Sequence, residues 1–88
     1  MTDPMELPEP SFRHLVTQLV TQALIQLGEI PNPVSGKSER SLPRARFTLA
    51  LIGILKDRTE GNLEPDEDAF LSRVQAEVSE RLRQRAQG

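Results

Sequence analysis

Residues 41–59 read Ser41-Leu42-Pro43-Arg44-Ala45-Arg46-Phe47-Thr48-Leu49-Ala50-Leu51-Ile52-Gly53-Ile54-Leu55-Lys56-Asp57-Arg58-Thr59. Ser41 is suited to cap a helix and Pro43 to its first turn, and the pattern runs to Thr59 before Gly61. Placed at 100° per residue, Phe47, Leu51, Ile54 and Leu55 form one apolar stripe, and Ala45, Leu49 and Ile52 form a second. Through the middle of the segment only a narrow edge of Arg46, Gly53 and Asp57 is polar. A helix apolar on most sides belongs at the centre of a structure. The periodicity leaves open which stripe faces inward, and two flanking helices need not cover both.

Outward from this segment, the chain supplies two such helices. Ser11 precedes Phe12, Leu15, Val16, Leu19, Val20, Ala23 and Leu27 at helical spacing, and Gly28 follows as a residue that ends helices with positive φ. The other side of this first helix carries no charge between Arg13 and Glu29, only Thr17, Gln18, Thr21, Gln22, Gln26 and Ile25, unlike an ordinary surface helix. On the far side of residues 41–59, the turn 61–64 leads to Pro65 and the acids Asp66, Glu67 and Asp68, all favoured in a first turn. Phe70, Leu71, Val74, Val78 and Leu82 then make one narrow stripe, with Arg81, Arg83 and Arg85 near the C-terminal end.

The expectation is an all-α domain of three helices, at about 11–27, 42–60 and 65–86, with a long irregular connection at 28–41. Pro31 and Pro33 hold Ile30 and Asn32 extended, and Ile30 and Val34 are expected to anchor the connection to the core. Residues 1–10, with Pro4, Pro8, Pro10 and three acids, read as a flexible arm ahead of a single helical domain at 11–88. The 88 residues carry 11 Lys+Arg against 13 Asp+Glu, a formal net charge of −2, with no Cys, Trp or Tyr. That length excludes a two-domain enzyme, and the missing cysteines exclude disulfides and thiolate-held metals. The apolar run between Phe47 and Leu55 is far shorter than the roughly 20 residues of a membrane-spanning helix. With an acidic, proline-broken start, the reading is a soluble cytoplasmic protein.

No chemical motif survives inspection. Gly36-Lys37-Ser38 resembles the end of a phosphate-binding loop, but the glycine that loop needs five residues earlier is Pro31. His14 is the single histidine, without the several ligands of a metal site or a catalytic partner. Glu64, Asp66, Glu67 and Asp68 are explained by their place at a helix start. Arg40, Arg44 and Arg46 could contact nucleic acid, yet the mild negative charge and the absence of Tyr and Trp argue against it. The expectation is a non-enzymatic protein with no cofactor or metal and no catalytic residue. It acts by protein–protein contact or self-association, with a homodimer completing the fold. Candidate contact residues are Thr21, Ile25, Phe47, Leu51 and Ile54. The alternative is a nucleic-acid accessory role through Arg40, Arg44 and Arg46.

Several strings resemble the bacterial domain-of-unknown-function family 1844: residues 22–37, Leu42 with Ala45, Leu51-Ile52-Gly53-Ile54-Leu55, Thr59-Glu60-Gly61-Asn62-Leu63, and Leu82-Arg83. The likeness covers about residues 12–84. The chain departs from the pattern at Gly53, where the family tends to have Asp, at Arg58 in place of Lys, and at Glu64 in place of a Thr or Ser cap. Any role of the acid at position 53 therefore does not carry over. The resemblance implies a compact helical bacterial protein and brings no activity, cofactor or catalytic residue.

Overall fold

The computed structural model describes residue 7 and residues 9–87. It contains α1 (Phe12–Gln26), α2 (Leu42–Thr59) and α3 (Pro65–Gln87), and no strand among the described residues. The all-α expectation holds, with each helix boundary within one residue of the sequence reading. The expected arm at 1–10 falls largely outside the described residues; of its last four, Leu7, Glu9 and Pro10 are described and exposed.

The helix ends follow the local chemistry. Ser11 accepts from the His14 amide and Ser41 from the Arg44 amide, each satisfying an otherwise orphan donor. At the end of α1, the Gly28 amide donates to Ile25 and the Glu29 amide to Leu24, at 3.0 Å each. This paired closure needs a left-handed residue at Gly28, whose φ is +79°. A Cβ there would also lie 3.4 Å from Cβ of Arg40. At the start of α3, Glu64 holds the cap position and its amide donates to Glu67 Oε1 at 2.9 Å, one half of a capping box.

The interior has two adjoining groups. Val16, Ile52, Leu71 and Val74 form one, and Leu27, Ala45 and Leu82 form the other. Since the first joins the start of α1 to the start of α3, and the second joins their ends, the helices run up, down and up. Ile52 and Ala45 are fully buried, so the stripe with Leu49 faces inward. Thr48 completes it, buried and donating to Gln26 Oε1 at 2.6 Å. The first stripe is divided: Leu55 packs on the core, while Phe47 and Ile54 are 66% and 55% exposed.

Two local expectations change. Gly53 does not lie on a solvent edge but is half-buried, with Nε2 of Gln75 on α3 3.6 Å from where its Cβ would stand. Val34 does not anchor the connection; it is 94% exposed at the tip of the loop, while Ile30 is half-buried. That loop is nevertheless tied together. Its neck closes where Leu27 pairs with Arg40 and the Ser41 amide donates to the Gln26 carbonyl at 2.7 Å. Inside, the Asn32 amide donates to the Lys37 carbonyl, and the Asn32 carbonyl accepts from Gly36. The Asn32 side chain accepts from the Val34 amide at 2.8 Å and donates to Glu39 at 3.2 Å. Because the prolines on either side offer no amide, one asparagine supplies most of the loop's polar pairing.

Candidate interaction surface

Phe47, Leu51 and Ile54 fall on the outward side of α2, Leu51 half-buried between its two exposed neighbours. The spacing extends in both directions: Arg44, Phe47, Leu51, Ile54 and Arg58 are separated by three, four, three and four residues. At 100° per residue the five lie within an arc of about 80°, a straight seam of the kind through which helices pair. Arg58 was not among the sequence candidates, although this spacing was available to find it.

The other two candidates lie elsewhere. Gln26, by its bond to Thr48, marks the side of α1 that faces α2. Ile25 is about 100° and Thr21 about 140° around α1 from that side. Thr21 is exposed and Ile25 half-buried, so the structure does not join them to the α2 seam. Arg40, Arg44 and Arg46 are exposed but do not share a face, since Arg46 lies about 160° around α2 from Arg44.

Charge is distributed unevenly. On α3, Arg81 pairs with Glu77 and with Glu29, Arg85 reaches Glu29 at 3.5 Å, and Arg83 pairs with Glu80. Glu29 follows the turn at Gly28, and its side chain is only 16% exposed beneath the two arginines. The Glu77 hydrogen bond, then Glu29, raises the pKa of Arg81. The Arg83 hydrogen bond lowers that of Glu80 below the ordinary carboxylate value. Lys56 lies 4.0 Å from Asp68, while Arg13 and Arg73 stack on the Phe70 ring at 4.1 and 5.5 Å. By contrast, no carboxylate among the described residues lies within 4.0 Å of Arg40, Arg44, Arg46 or Arg58.

The concave features are slight. A cleft of about 50 Å³ between α1 and α3 is lined by Val20, Leu24, Val74 and Val78, with Glu77 and Arg81 at its rim. A polar hollow of about 390 Å³ at the turn between α2 and α3 is bordered by Lys56, Glu60, Leu63 and Asp68. His14 borders neither; it is half-buried, with Gln18 Nε2 3.3 Å from its ring nitrogen. Gly36, Lys37 and Ser38 lie exposed on the Asn32 loop, and among the described residues no three His, Asp or Glu side chains are grouped to hold a metal. No described helix is long and apolar enough to cross a membrane.

No curated protein and no solved structure matches the chain. Residues 9–84 match a protein family, in agreement with the resemblance in residues 22–37 and the later strings. That match takes in α1, α2, the Asn32 loop, the outward seam and α3 as far as Gln84, and by it the chain belongs to the family described as Domain of unknown function (DUF1844).

Proposed function

We propose that this protein is a non-catalytic interaction module that binds another protein chain through the outward face of α2. The observation that carries the reading is the exposure of Phe47 and Ile54, 66% and 55%, on a seam whose spacing suits a second helix. Together they leave roughly 200 Å² of apolar surface in water. Covering it is worth about 5 kcal/mol at 25 cal/mol per Å², before the costs of association. An exposed apolar patch of this kind, rimmed by polar residues, is a mark of contact surfaces. A cytoplasmic setting belongs to the same proposal, since a small chain without cysteine has no disulfides to gain in an oxidising compartment. The partner is either a second copy or a different protein, and the charges at the ends of the seam bear on that choice.

The test is site-specific photo-crosslinking in native cells, with the reactive group at Phe47 and, as control, at the exposed Ala76 of α3. The expected result is a discrete protein adduct from position 47 and none from position 76. Equal labelling from both positions would contradict the reading. The second reading, nucleic-acid contact through Arg40, Arg44 and Arg46, draws on their lack of carboxylate partners among the described residues. It predicts a nuclease-sensitive adduct and binding that weakens steeply with salt.

A further inference from the structure

Resting on that reading of the face as a protein contact, we infer that the outward seam of α2 receives an amphipathic helix of a different protein, with carboxylates at both ends of its apolar stripe. The seam is apolar in its middle three positions and cationic at both ends, with Arg44 and Arg58 about 21 Å apart along the axis. Neither arginine has a carboxylate within 4.0 Å among the described residues, whereas Lys56, Arg81, Arg83 and Arg85 all do. The helix itself offers no acid before Asp57. Two arginines that α2 places one above and one below an apolar strip call for carboxylates at matching levels, about four helical turns apart.

The same arrangement disfavours a second copy. In an antiparallel pair the residues facing each other add to about 101 or 102, so Phe47 meets the partner's Ile54 while Arg44 meets the partner's Arg58. In a parallel pair each arginine meets itself. Either way like charges face each other at both ends, as in interfaces that reject wrong partners. A polyanion such as nucleic acid would satisfy the arginines but leave Phe47 and Ile54 in water. A helix with apolar residues at three–four spacing covers both and neutralises the ends.

The test uses the full chain and two labelled synthetic helical peptides of about 20 residues, sufficient for the four turns of the seam. Both carry leucine at three–four spacing; one has Glu and the other Lys at the two flanking positions. Fluorescence anisotropy at low salt is expected to show the Glu-flanked peptide binding about tenfold tighter, as two attractive rather than two repulsive pairs require. The doubly reversed variant Arg44→Glu, Arg58→Glu, checked for helicity by circular dichroism, should invert the preference. Phe47→Asp should abolish both complexes. If the peptides bind alike and Phe47→Asp still removes both, the face remains a protein contact and its acidic complement is refuted. If Phe47→Asp leaves binding unchanged, the reading of the face itself fails. A wild-type dimer that Phe47→Asp dissociates, or displacement of the peptide by anionic vesicles or single-stranded DNA at lower concentration than by unlabelled peptide, would also overturn the inference.

Discussion

Truncating Ile52 and Ile54 to alanine, one at a time, separates the two sides of α2. Ile52 is fully buried against Val16, Leu71 and Val74. Removing three carbon atoms there forfeits about 2.4 kcal/mol of transfer free energy at about 0.8 per carbon, and the cavity left behind adds to it. The expected loss for Ile52→Ala is therefore about 3–4 kcal/mol. Ile54 is 55% exposed, so less than half of that transfer term applies, about 1 kcal/mol. Alanine's better helix propensity returns a few tenths, leaving a loss below about 1 kcal/mol. An 88-residue domain has about 4–13 kcal/mol in total, so the first change consumes a large part of it and the second does not. Urea titration followed by circular dichroism reads both values, provided that the slope with denaturant is unchanged. Equal losses, or a larger loss for Ile54→Ala, would mean that α2 presents the other stripe to the core.

Three further outcomes follow from the polar contacts. Glu29→Ala strips Arg81 and Arg85 of a shared partner and should cost about 1 kcal/mol, discounted for the exposure of both arginines; salt should shrink the effect, and a salt-insensitive loss would count against an ionic origin. Asn32→Ala removes the acceptor for the Val34 amide and the donor to Glu39, so hydrogen exchange at Val34 should accelerate while the buried amides of α2 keep their protection; unchanged exchange at Val34 would refute the role given to Asn32. Because Arg83 lowers the folded-state pKa of Glu80, that pair stabilises above the ordinary carboxylate range and ceases to as pH falls through the lowered value. The stability difference between the native chain and Glu80→Gln should therefore be present near neutrality and vanish in acid, and a difference that grows in acid would contradict the assignment.

Much of the fold is legible because its signals are local. Ser11, Ser41, Pro43, Pro65 and Gly28 act on backbone groups within a few residues of themselves, and each stands at the end of a helix where such chemistry places it. The orientation of α2 is not local. Both stripes are apolar, and the choice between them is expressed in contacts such as Thr48 with Gln26, 22 residues away, and Ile52 with Leu71. The Glu29 pairing with Arg81 spans 52 residues and was equally beyond reach, although both ends were visible as charges. Val34 illustrates the opposite error: an apolar residue in a loop suggests an anchor, but the Asn32 hydrogen bonds hold the loop without one. Within the contact surface, Phe47, Leu51 and Ile54 were visible by period. The apolar stripe read from the sequence stops at its apolar members, so Arg58 falls outside it, and Thr21 and Ile25 enter because α1 lacks charge there.

The proposed contact requires that α2 present a face that its own chain leaves in water. The sequence contains no tryptophan, so Phe47→Trp places a single reporter at the centre of the question. In dilute solution its emission should match that of tryptophan in water and be quenched freely by acrylamide. Blue-shifted emission, shielded from the quencher and unchanged on further dilution, would show the face covered from within and contradict the account.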